Sequence, residues 1–280
     1  MLIVLMAVLA IRAITLDGAQ EGLKYFLIPD FSKIVDNGVW NVMYQAMSQA
    51  FFTLSVGMGG MAIFGSYIGK EHSLLGESIN VAALDTFVAL CSGLIVIPSC
   101  FAFGVDPGAG PPLIFITLPS VFEQMPGGQL WGSLFFLFMI FAAMSTVIGV
   151  MENIISCFTD LFPNLSRKKM CLYGAIALLI LSMPVVLGFN VWSHIQPLGG
   201  NILDFEDFLV SNNILPIGSC IYVLFCCLKG GWGWDNFMAE ANSGSGRKFP
   251  NWARGYCTVV IPIAIVVILI MGYITKFFGS

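Results

Sequence analysis

A chain of 280 residues in which 58% are hydrophobic and 10% charged cannot clothe a water-facing shell, because soluble domains carry about 25% charged side chains. Its mean hydropathy of +0.88 makes the surrounding medium lipid. The formal charge of −4, from 16 acidic and 12 basic residues, is spread through loops rather than gathered in a run, and nothing in it suggests nucleic acid.

Crossing about 30 Å of hydrocarbon as a helix takes about 20 apolar residues. The first run, Met1 to Leu16, already contains Arg12 and is too short to cross unaided, so residues 1–16 read as the end of a truncated membrane helix. A signal peptide is the competing reading, but the basic start and the small-residue cleavage pattern are absent. Residues 17–39 follow as an extracellular loop. Complete spans then run from Trp40 to Gly69, Ile79 to Phe103, Leu130 to Phe158, Met170 to Phe189, Phe208 to Leu228 and Tyr256 to Tyr273. Residues 229–254 form a cytoplasmic loop, and 255–276 hold the last span.

Basic residues in short loops are retained on the cytoplasmic side. Lys70, Arg167, Lys168, Lys169, Lys229, Arg247, Lys248 and Arg254 all fall in alternate loops on one side, against Lys24, Lys33 and Lys276 opposite and Arg12 near that edge. The connections 17–39, Asp106 to Gly128 and Gly188 to Asp207 therefore face outward. In the second of these, Gly108, Gly110, Pro111 and Pro112 precede an apolar stretch, Leu113 to Phe122, too short to span. It fits a re-entrant or capping helical hairpin, or a packed loop. The eight cysteines, among them Cys91, Cys157, Cys226 and Cys227, form no CxxC pair and lie mostly in apolar segments, as membrane-buried thiols do.

The most informative segment is Gln49-Ala50-Phe51-Phe52-Thr53-Leu54-Ser55-Val56-Gly57-Met58-Gly59-Gly60, midway along the first complete span. Glycines there weaken the helix at mid-membrane, and unwound backbone in hydrocarbon must be buried in protein or line a wet cavity. Exposed carbonyls with the Thr53 and Ser55 hydroxyls suit a hard cation such as sodium. Close helix packing on small residues is the alternative. In the third complete span Ala142, Ser145 and Thr146 share one helical face, and two hydroxyls with a carbonyl could complete an oxygen cage, or the hydroxyls back-bond to their own helix.

Asp85 is the sharper anomaly, since a carboxylate inside a span costs about 2.5 to 3.5 kcal/mol. It calls for a cationic partner, either sodium or a basic side chain. Glu152, nearer the cytoplasmic end of its span, reads as structural or vestibular. Asp207, with Asp204 and Glu206 at the outer mouth of the fifth complete span, reads as a solvated rim or as half of a gate-closing ion pair. His72 and His194 lie in loops on opposite sides. With no HExxH, GxSxG or phosphate loop and no nucleophile beside a base, nothing points to an enzyme.

The stretch QAFFTLSVGMGG, the spacing FAAMST at 141–146 and SRKK at 166–169 resemble the neurotransmitter:sodium symporters, in particular their bacterial members, over essentially the whole chain. That resemblance implies an all-α integral membrane protein with a partial leucine-transporter-type fold, one complete five-helix repeat plus flanking helices, with the first four helices missing. The chain would start within the fifth transmembrane helix and end after the eleventh. Residues 40–228 would be the second repeat, with a broken first helix and an extracellular loop at 104–129.

The implied function is sodium-coupled symport of a neutral, apolar amino acid, by a multi-pass protein of the cytoplasmic membrane. By motif, Thr53 and Asp85 would bind the first sodium (Na+), and the Ala142 carbonyl with Ser145 and Thr146 the second. Phe52, Ser55, Met58, Thr146 and Val150 would line the substrate pocket, Phe52 also serving as outer lid and Asp207 as the acidic half of the gate. No organic cofactor is implied. Many relatives have asparagine where Asp85 stands and an ionisable or hydroxyl residue one turn later, here Ala89. Charge thus sits on the ligand itself, and transport is expected to be independent of chloride. Without the first four helices the two repeats cannot rock against each other, so the chain is expected to be a fragment inactive alone, unless another chain supplies the missing helices. A non-transporting membrane scaffold or partner subunit is the alternative.

Overall fold

In hydrocarbon the backbone has no water to bond, so an apolar run either forms helix or is shielded by protein. The computed structural model describes residues 2–107, 114 and 118–278, and among these it forms helices and no strand. In chain order the α-helices are α1 (Leu2–Ile14), α2 (Ala19–Leu27), α3 (Phe31–Asp36), α4 (Val39–Thr53), α5 (Gly60–Tyr67), α6 (Leu74–Ala102), α7 (Leu118–Gln124) and α8 (Gly128–Leu161). They continue with α9 (Arg167–Gly188), α10 (Ile202–Leu209), α11 (Leu215–Cys227), α12 (Trp234–Ala241), α13 (Ala253–Gly255) and α14 (Ile261–Phe278). A π-helical turn, Val210–Ile214, joins α10 to α11, and another, Tyr256–Val260, joins α13 to α14. The elements α6, α8, α9, the run Ile202–Cys227 and the run Ala253–Phe278 are each long and apolar enough to cross a membrane. The expected span at Trp40 to Gly69 is two half-length helices, α4 and α5, with residues 54–59 outside helix.

The chain divides into two compact units. The first comprises Met1–Lys33 and Ala82–Ile148. Its core gathers Met6 and Leu9 of α1, Ile95 and Cys100 of α6, Leu118 of α7 and Phe135 and Phe138 of α8. Phe135, 2% exposed, meets the rings of Phe122 and Phe136 at 5.4 and 5.6 Å between centroids. The 17–39 stretch, expected as a loop, contains α2 and α3. Helix α2 runs antiparallel along α6, with Gly18 beside Ala102, Gly22 against the Pro98 backbone and Phe26 filling the place a side chain on Gly93 would take. Gly22 lets its helix approach the backbone of α6, and Gly93 makes room for the Phe26 ring, matches that apolar patterning cannot reveal. The Arg12 guanidinium lies over the Trp131 ring at 5.5 Å. Of the apolar stretch Leu113 to Phe122, the part from Leu118 belongs to α7, which continues to Gln124; residues 108–113 and 115–117 lie outside the described residues, so a hairpin there is not assessed.

The second unit comprises Ile34–Val81 and Gly149–Ser280. Here α14 packs on α11 and α4, and the Tyr273 hydroxyl donates to Asn213 Oδ1 at 2.6 Å. The 229–254 connection folds α12 back through an aromatic cluster of Trp234, Phe237 and Phe249 beside Cys227 and Cys257. All eight cysteines are free, and Cys100, Cys227 and Cys257 are buried.

Because Phe135 is packed on all sides by protein, Phe135→Ala should lower the unfolding free energy of the detergent-solubilised chain by about 3 kcal/mol, through lost contacts and a cavity. Leu181→Ala, at a position 70% exposed on α9, should leave the thermal midpoint almost unchanged in the same scan.

Candidate functional site

The interruption between α4 and α5 is built residue by residue. Helix α4 closes with the Val56 amide donating to the Phe51 carbonyl at 3.0 Å and the Ser55 amide to the Phe52 carbonyl at 3.0 Å, the paired bonds of a left-handed helix cap. The residue in the left-handed position is Ser55, at φ 50°, where glycine is usual. Gly57 and Gly59, at φ 85° and 88°, then turn the chain, and the Gly59 carbonyl accepts from the Ala62 and Ile63 amides to start α5. Backbone meets backbone at α11: a Cβ on Gly57 would overlap the Leu215 carbonyl and the Ser219 amide, and one on Gly218 would overlap the Gly57 carbonyl. From α8, Asn153 Nδ2 donates to the Met58 carbonyl at 3.2 Å. The carbonyls of Leu54 and Val56 accept no hydrogen bond among the described residues, so they are available to a ligand.

Around this segment the second unit brings several of the expected residues together. Phe52 and Asp207 line one groove of about 300 Å³ with Gln45, Ser48, Gln49 and Ser211. The Asp207 carboxylate is held by the Ser211 hydroxyl at 2.8 Å. Val150 lies one turn before Asn153 on the same face of α8, the face that reaches the Met58 carbonyl. In the first unit the second expected oxygen set is compact: the Ser145 and Thr146 hydroxyls both donate to the Ala142 carbonyl, at 2.8 and 3.2 Å. Thr53 ends α4 in the second unit, while Asp85, within α6, and Thr146 belong to the first. Neither Thr53 nor Asp85 is free of intramolecular partners.

A family model, the sodium:neurotransmitter symporter family, matches residues 1–278. The chain belongs to that family. It is 31% identical to an uncharacterized sodium-dependent transporter of Bacillus subtilis, over 96% of this chain and 58% of the relative, and 34% identical to one of Haemophilus influenzae, over 94% and 56%. The crystal structure of MhsT in complex with L-phenylalanine superposes with a TM-score of 0.82 at 34% identity, covering 97% of this chain and 60% of that one. The fold is thus a partial leucine-transporter-type fold of a multi-pass membrane protein, and the chain spans less than two thirds of the length of these relatives.

The chain carries further polar contacts that its sequence did not mark. The Tyr67 hydroxyl, at the end of α5, donates to Glu152 Oε1 at 2.7 Å and lies 2.9 Å from Ser156 Oγ, and Arg167 at the start of α9 pairs with the same carboxylate. Glu152, read as structural or vestibular, therefore ties the second half of the broken helix to α8 and α9. Asp204 caps α10 reciprocally with Asn201, at 2.8 and 2.9 Å. Asn153 carried a signal that passed unread: like Asp85, it is a polar side chain inside an apolar span.

A non-glycine residue in the left-handed conformation costs about 1 to 2 kcal/mol, so Ser55→Gly should stabilise the chain by about 1 kcal/mol, seen as a higher thermal midpoint. Ser55→Val should lower it.

Proposed function

We propose that the complete transporter to which this chain corresponds couples inward sodium flow to uptake of a neutral, apolar amino acid, independently of chloride. The observation that carries this reading is the break between Thr53 and Gly60, where the Leu54 and Val56 carbonyls accept no hydrogen bond among the described residues. A broken helix at the midplane is where secondary transporters bind substrate and ions. Support for the substrate class comes from MhsT, whose structure holds L-phenylalanine, and from the apolar side chains of Phe52, Met58 and Val150.

In this reading Thr53 and Asp85 bind the first sodium. The Ala142 carbonyl with the Ser145 and Thr146 hydroxyls binds the second, three hard oxygens of the kind an alkali cation takes in place of water. Phe52, Ser55, Met58, Thr146 and Val150 receive the amino acid, and Phe52 with Asp207 closes the outer side. The ionised Asp85 supplies the negative charge that balances the cation, which removes the need for chloride. The Bacillus and Haemophilus relatives favour a bacterial cytoplasmic membrane, with the basic loops inside.

The test is uptake of radiolabelled L-phenylalanine into proteoliposomes under a sodium gradient, with this chain alone and with a second chain carrying the N-terminal part of the Bacillus relative. Uptake that needs sodium, persists when gluconate replaces chloride and falls to background in Asp85→Ala supports the proposal. Uptake that ignores the sodium gradient sinks the symport reading, and uptake lost on chloride removal sinks the role given to Asp85.

A further inference from the structure

The turn between α4 and α5 is held from two sides by groups that no motif assigns. On one side the interlock of Gly57 with Gly218 leaves no room for a side chain on either residue, so α11 fixes how deep the turn sits. On the other, Asn153 Nδ2 donates to the Met58 carbonyl at 3.2 Å, and its amide also flanks Gly59 across from the Tyr222 hydroxyl. Met58 is the residue between the two left-handed glycines, so the orientation of its peptide sets both where its side chain stands and which carbonyls face away from protein. Were that carbonyl released, the Gly57–Gly59 turn could rotate about its permissive φ angles, since glycine opposes such rotation least.

We infer that Asn153 is a positioning residue of the binding segment, pinning the Met58 carbonyl so that the remaining backbone oxygens are presented to a sodium ion and its amino acid partner. The inference rests on the proposed function for its ligand, but not for its geometry. Asn153 does not touch the ligand; it acts through the peptide at Met58. The amide is suited to this because it donates without charge, whereas a lysine or arginine there would compete with the cation.

Hydrogen exchange read by mass spectrometry on the solubilised 280-residue chain separates the two claims. In sodium-free buffer, Asn153→Leu, close in volume but without a donor, should speed exchange in the peptide covering residues 55–63 about fivefold, the loss expected for one net hydrogen bond. Asn153→Gln, which keeps the donor, should restore exchange to within about twofold of the parent, as a retained hydrogen bond requires. A control peptide over α9, residues 170–187, should not change in either variant. Unchanged exchange at 55–63 in Asn153→Leu overturns the inference. So does a rise throughout the chain including α9, because a cap on one carbonyl cannot carry the whole fold. With sodium chloride in place of N-methylglucamine chloride, the parent peptide should slow, and the sodium concentration giving half the protection should rise about threefold in Asn153→Leu, within what one hydrogen bond can supply, and return in Asn153→Gln. A parent that shows no sodium effect overturns the ligand part of the inference for this chain alone, while leaving intact the sodium-free result on Asn153 and the symport reading of the complete transporter. A sodium effect whose midpoint is unmoved in Asn153→Leu reduces Asn153 to a structural cap and overturns its positioning role.

Discussion

The constraint on which the rest depends is that a peptide group in hydrocarbon must find its partner within the protein. An interruption at mid-span is therefore possible only where neighbouring helices approach closely enough to shield it. Here that shield is specific: α11 presents a glycine, Gly218, opposite Gly57, so the two backbones touch, and α8 presents one amide side chain to the Met58 carbonyl. Given those contacts, part of the interrupted backbone is met by protein, while residues 54–60 remain half-buried.

The same logic governs the outer half of the second unit. The π-helical turn at Val210–Ile214 carries Ser211, Asn212 and Asn213 in succession, and each binds a different neighbour. Ser211 holds Asp207, Asn212 meets the Tyr44 hydroxyl, and Asn213 both donates to the Phe208 carbonyl and accepts from Tyr273. A π turn widens the helix and leaves carbonyls without regular donors, and the asparagine side chain supplies one. The outcome is that α4, which carries Phe52, and the helix that carries Asp207 are tied through polar groups and not through shape alone. Rigid elements around a soft turn are what a site needs if its geometry is to survive thermal motion.

Much of this was legible in the residues. Apolar runs located the spans because lipid imposes one length and one composition, and the glycine cluster located the break because glycine adopts the left-handed angles taken at Gly57 and Gly59 at least cost. The periodic placement of Ala142, Ser145 and Thr146 put them on one face, and in the structure both hydroxyls back-bond to the Ala142 carbonyl, at 2.8 and 3.2 Å. What could not be read depends on partners distant in sequence. That Ser55, not a glycine, would take the left-handed cap follows from the helix ending at Thr53, a tertiary effect. Helix α2 arises from a match of Gly22 and Gly93 to surfaces on the facing helix. Asn153 is an intermediate case, visible as an anomaly in its span but without a partner until the fold supplied Met58.

The oxygen set on α8 shows what hydroxyl residues do inside an apolar helix. A hydroxyl has one proton to donate and two lone pairs to offer. In Ser145 and Thr146 the proton is spent on the Ala142 carbonyl, which tucks the hydroxyls against their own helix and leaves their lone pairs directed away from it. Back-bonding of this kind is the ordinary behaviour of hydroxyl residues in apolar helices, and on its own it argues only for local structure. The Ala142 carbonyl has two lone pairs and already accepts two hydroxyl protons, so in the proposed site a sodium ion would have to replace those bonds, the hydroxyls turning their protons away. Exchanging one set of uncharged bonds for another lets an ion leave more readily than a cluster of carboxylates would, and that exchange is what the proposed transport reading asks of these residues.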